Sequence, residues 1–201
     1  MVISHWVIMN NGVIARDNAL LAGTDTSSPE QLYKDLQYNY PKFFKMDKLC
    51  KWAWLGAEYL LTGIPSLEST DKNKVAVVLA TAHGCLDVDK KYSETIAVPS
   101  PALFVYTLPN IMLGEICIRH GFKGEQLCMA SEAFDAEELC FIVGNLLQNT
   151  GMEACLCGWV DVAGDQHDTC LFWITKRGKG LEFTPAILSE LYNQHRSSYS
   201  S

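Results

Sequence analysis

The 201-residue chain has no Cys-x-x-Cys pair, no apolar run near the roughly 18 residues that cross a membrane, and no excess of positive charge. Each absence excludes something. Sixteen Lys and Arg against 23 Asp and Glu give a formal net charge of −7, so a surface drawn to phosphate is expected only as a local patch. Neither nucleic acid nor membrane is expected as a partner. The first residues lack the basic flank and long apolar core of a secretion signal, which implies a cytoplasmic protein. Eight cysteines (50, 85, 117, 128, 140, 155, 157 and 170) lie mostly inside apolar stretches and read as reduced core residues. Cys155 and Cys157 fall in a strand-like run without nearby histidines, so no metal is expected, and no cofactor.

What is present is a large apolar fraction, 48% hydrophobic with 19% charged, which fits one globular domain over residues 1–196 and a disordered tail over 197–201. Residues 3–9 read as a strand ending in Asn10-Asn11-Gly12, a turn signal because Asn and Gly tolerate positive φ. A polar stretch over 23–28 precedes Pro29, which starts a short helix to about Leu36. Met46, Leu49, Cys50, Ala53, Ala57, Leu60 and Leu61 recur at helical spacing until Gly63 and Pro65. Residues 75–80 form an aliphatic run suited to a strand covered on both faces, followed by a glycine-containing loop. A helix is expected over 106–120, a short strand over 126–130, and a helix from Asp135, capped with Glu138, to about Asn149. Strands at 154–160 and 169–175 with a last helix at 185–193 complete a mixed α/β pattern. The sheet should have about five strands, with helices on its faces.

Several motifs in this order carry a resemblance. Lys45-Met46-Asp47 opens an alanine-containing amphipathic helix. The segment Pro101-Ala102-Leu103-Phe104-Val105-Tyr106-Thr107-Leu108-Pro109-Asn110 is followed by Gly114, Gly121 and Gly124, and Gly158-Trp159-Val160-Asp161 closes a strand. Together, over about residues 4–175, they resemble the N-terminal half of a β-ketoacyl synthase of the thiolase-like superfamily. The resemblance implies a thiolase-like half-domain. Counted forward from Gly124 and back from Gly158, the family's nucleophilic cysteine falls on Ala133, within Ser131-Glu132-Ala133-Phe134. Alanine supplies no thiolate, and Glu132, Asp135, Glu137 and Glu138 would repel a developing oxyanion there. The family's two catalytic histidines belong to a half that these residues do not include.

The resemblance therefore implies a non-catalytic subunit of a fatty-acid-like or polyketide-like pathway, comparable in role to a chain-length factor. Two alternatives stay open. One is an active acyltransferase or condensing enzyme using another residue such as Cys85, which lies two residues from His83 but with no third group evident to orient that histidine. The other is a module that binds an acyl chain or its carrier. His167-Asp168-Thr169-Cys170 reads as a turn into a strand, and a hydrolase triad with Ser131 is the minor reading of it. Lys42, Lys45, Lys48 and Lys51, at three-residue spacing near Phe43, Phe44, Trp52 and Trp54, form either a solvated face or a dock for an acidic acyl carrier protein. The apolar helix after Asp135 and the strand before it imply a homodimer, or a heterodimer with a complete ketosynthase.

Overall fold

A computed structural model describes residues 1–10, 12–21 and 27–194. The tail expected at 197–201 and most of the polar stretch at 23–28 lie outside these residues. The centre of the molecule is β4 (Val75–Thr81), whose seven residues are all buried, as its aliphatic run predicts. Its side chains alternate between two cores. Val75, Val77 and Leu79 join one, and Ala76 and Val78 the other. β5 (Gln126–Ala130) and β6 (Ala154–Ala163) flank β4, both parallel to it. β7 (Gln166–Thr175) runs antiparallel to β6 and to β1 (Val2–Asn10). β5 is thus an edge strand.

The five expected strands form this body of the sheet, and three short strands extend it: β2 (Val13–Arg16), β3 (Ala19–Leu20) and β8 (Leu181–Glu182). They are too short for a period-2 pattern to register. β6 and β7 are also longer than expected and join in a hairpin at Gly164, which has φ +63°. Consequently the segment 167–170 is strand rather than turn. His167 is buried there with its ring stacked on Trp52 at 3.6 Å, and Thr169 is fully buried.

Helices cover both faces. α1 (Pro29–Asp35) and α2 (Lys48–Leu61) lie on the first, with Asp47 accepting bonds from the backbone N–H groups of Leu49 and Cys50 to cap α2. The short α3 (Pro65–Ser69) follows. The loop expected after β4 contains a helix, α4 (Leu86–Ser93), and the helix expected over 106–120 starts later, as α6 (Ile111–His120), with a separate short α5 (Pro101–Val105) before it. Pro109 explains the later start, because its ring and missing N–H disfavour a helix running through it. The second face carries α7 (Ala136–Asn149) and α8 (Pro185–Asn193). Leu139, Val143 and Leu147 bury the inner side of α7, while Phe141 on its outer side is 76% exposed.

Connections between strands set up a crevice. From β4 the chain crosses the first face outward to β5, whereas from β6 it turns the other way into β7. Between the carboxyl ends of β4 and β6 the two exits diverge, the place where open α/β sheets bind ligands.

Candidate functional site at the carboxyl ends of the central strands

Two loops meet at this end of the sheet. The first, residues 131–135, joins β5 to α7. Ser131 donates its backbone N–H to the Thr81 carbonyl at 3.1 Å, anchoring the loop to β4. Asp135 is the helix cap, accepting from the Glu138 N–H at 2.9 Å, and the Ser131 hydroxyl reaches the Glu138 carboxylate at 3.4 Å. Phe134 turns inward and stacks on Tyr192 of α8, ring centroids 4.2 Å apart. Glu132 and Ala133 are exposed. An open depression of about 400 Å3 is lined here by Ser131, Glu132, Ala133, Asp135, Glu137 and Ser189. It offers a helix start and carboxylates, and no thiol, imidazole or cation.

The two glycines from which Ala133 was counted are places where no side chain fits. A Cβ on Gly124 would lie 2.4 Å from the Val75 carbonyl oxygen. On Gly158, with φ +149°, it would lie 2.1 Å from the carbonyl oxygen of Cys170. The second is a contact between β6 and β7, and the first is between the start of β4 and the turn before β5.

The second loop follows β4 and is built around Asp161 of β6. One carboxylate oxygen, Oδ1, accepts from the Thr81 hydroxyl at 2.9 Å, the Ala82 N–H at 3.0 Å and the His83 N–H at 2.8 Å. The other, Oδ2, lies 2.7 Å from Nδ1 of His83. Burial by itself would raise the pKa of Asp161, but the backbone and ring N–H groups of His83 and the Thr81 hydroxyl outweigh it and hold the carboxyl below its ordinary value. Facing a carboxylate, Nδ1 carries the proton, so in the neutral ring the lone pair is on Nε2. Asp161 is therefore the orienting group that the spacing of His83 and Cys85 did not reveal. The signal was a carboxylate ending an otherwise apolar strand, read only as part of a turn motif.

Cys85 does not join this pair as a nucleophile. It is buried, and burial, helped by the nearby charges of Asp47 and Asp89, pushes its thiol up to about 12. Cys128, on β5, is also raised by burial. Gly84 and Cys85 separate two cavities. One, of about 370 Å3, has His83, Asp89, Thr107, Asn110 and Cys128 in its wall. The other, of about 380 Å3, lies between Met46, Leu49, Val88, Leu103 and Tyr106 on the first face.

Three of the four stripe lysines, Lys45, Lys48 and Lys51, line the second cavity together with Lys91. Lys42 points elsewhere, to Glu115 at 2.7 Å. Lys48 pairs with Asp165 at 2.9 Å and Lys51 with Glu30 at 2.6 Å, whereas Lys45 and Lys91 have no ion pair among the described residues. Phe43, Trp52 and Trp54 are core residues, leaving Phe44 as the exposed aromatic of that group.

No protein-family model matches the sequence, and no curated protein matches it. Solved structures do. The chain is similar to "The ishigamide ketosynthase/chain length factor", with TM-score 0.59 and 18% identity over 87% of this chain and 62% of that one. It is similar to a chain of the complex of the ketosynthase ApeO with its chain length factor ApeC from Xenorhabdus doucetiae, with TM-score 0.61 and 15% identity over 98% of this chain and 93% of that one. A third match is to the AntDE:AntF complex, a type II PKS acyl-carrier protein with its ketosynthase bound to the hexaketide, with TM-score 0.56 and 12% identity over 70% and 50% of the two chains. The fold is thiolase-like, of the kind found in ketosynthases and chain length factors. The chain spans 62% and 50% of the first and third of these, and nearly all of the second.

Proposed function

We propose that this protein is a cytoplasmic ketosynthase-like subunit without condensing activity, acting in a fatty-acid-like or polyketide-like pathway as the partner of a complete ketosynthase. The observation that carries this reading is the match over 98% of this chain and 93% of a chain in a ketosynthase–chain length factor complex. A chain of comparable extent therefore exists within such a pair. Ala133, exposed on a helix-start loop that retains its anchor and cap, supports the absence of condensation. An unpartnered β5 edge and an exposed Phe141 support an interface on that side. An acyl carrier protein would approach the mouth of the cavity that carries Lys45 and Lys91.

Co-expression with the ketosynthase encoded nearest to it, followed by affinity capture and light scattering, tests the reading. A stable one-to-one complex is expected. A monodisperse monomer that ignores the ketosynthase overturns it.

A further inference from the structure

The fold concentrates on His83 what a proton acceptor needs. Asp161 is fixed by three donors besides the ring, so the imidazole is held in one tautomer, and its Nε2 has no partner among the described residues. The His83 side chain remains 46% exposed while that of Asp161 is 13% exposed, so the oriented end is sheltered and the basic end open. His83 is in the wall of the 370 Å3 cavity, together with Thr107, Asn110, Cys128 and Pro109. The cavity lies at the carboxyl ends of β4 and β5, between Thr81 and Ala130. No thiol in the wall is available as a nucleophile, because Cys85 and Cys128 are both held protonated by burial. The proton that Nε2 takes must come from a bound molecule.

We propose that His83, positioned by Asp161, is a general base that activates water for hydrolysis of a small acyl thioester bound in this cavity. The thioester rests on the ketosynthase-partner reading; the base rests on geometry alone. Water transfers one proton to Nε2 as its oxygen attacks the thioester carbonyl carbon. The carbon–sulfur bond then breaks, and the imidazolium returns the proton to the departing sulfur, giving a carboxylic acid and a thiol. Charge and electrons balance without any further reactant.

The test uses the full chain with hexanoyl-N-acetylcysteamine and, in parallel, p-nitrophenyl butyrate, reading thiol and nitrophenol release. Thiol release at least about 100-fold above buffer is expected, in the range general-base catalysis supplies. His83→Gln, at an exposed side chain, should remove it while leaving the circular dichroism spectrum unchanged. Ring nitrogen NMR supplies a readout independent of turnover: His83 should be the Nδ1–H tautomer, and Asp161→Asn should shift it toward Nε2–H. Neither substrate being cleaved, or His83→Gln cleaving as fast as the parent, overturns the base. Cleavage of the oxygen ester alone, dependent on His83, overturns the thioester and counts against the pathway reading. Failure to bind a ketosynthase with His83-dependent thioester cleavage intact sinks only the partner reading.

Discussion

The two loops at the carboxyl ends of β4 and β5 share one anchor and diverge in chemistry. Thr81 gives its carbonyl to the Ser131 N–H and its hydroxyl to Asp161, so one residue ties both loops to the same strand. Beyond that, the 131–135 loop leads into a capped helix start and presents alanine and carboxylates. The 82–85 loop is built around a largely sheltered carboxylate of β6 that holds the loop backbone and one imidazole. Backbone geometry and side-chain chemistry are thus separable at this end of the sheet. Helix capping and strand contacts preserve the first, and a few side chains decide the second.

The largest expected effect comes from breaking the strand that carries Asp161. Gly158→Ala would place a methyl group against the Cys170 carbonyl in a left-handed conformation that alanine resists. A loss on the order of 3 kcal/mol or more is expected in urea unfolding. A loss below about 1 kcal/mol would show that the β6–β7 pairing is looser than described.

Asp161→Ala removes the acceptor of Thr81, Ala82 and His83, and should cost about 1–3 kcal/mol by leaving donors unsatisfied. Its pH dependence has a definite sign. Since the folded carboxyl lies below its ordinary value of 3.8, its charge stabilises the protein above that pH, and the contribution fades as pH falls through the folded pKa. The stability gap between parent and variant should therefore narrow below about pH 4. A gap that widens on acidification would mean that Asp161 is held protonated.

On the other loop the effects are smaller. Asp135→Ala removes the cap of α7 and should cost about 1 kcal/mol in thermal or urea unfolding, leaving hydrolysis at His83 untouched. Loss of that activity with the cap would show the two loops to be one site. The smallest effect is expected at Ala133. Ala133→Cys should change stability by less than about 0.5 kcal/mol, because the position is exposed. It should give no condensation with acyl and malonyl carriers, since a thiol among carboxylates has no histidine in this loop to activate it. Condensation above the buffer rate would move the active site back to this loop.

By itself the sequence determined most of the scaffold, because its signals are local. The aliphatic run of β4, the periodic spacing in α2 and α7, and the Asp135 cap each act within a few residues, where backbone geometry fixes which side chains share a face. Pro109 was equally local, yet the later helix start it imposes was outweighed by the apolar spacing around it. The two-residue β3 and β8 exist only because β2 and β1 offer them a ladder, so no pattern of their own announces them. The candidate site was legible only in halves. Ala133 was singled out only through the resemblance, by counting from the motif glycines Gly124 and Gly158. His83 and Asp161, 78 residues apart in the chain, become a pair only when β4 and β6 lie side by side. A carboxylate at one strand end and an imidazole beyond another carry no shared period or spacing. Parallel pairing, a tertiary event, decided that one would orient the other.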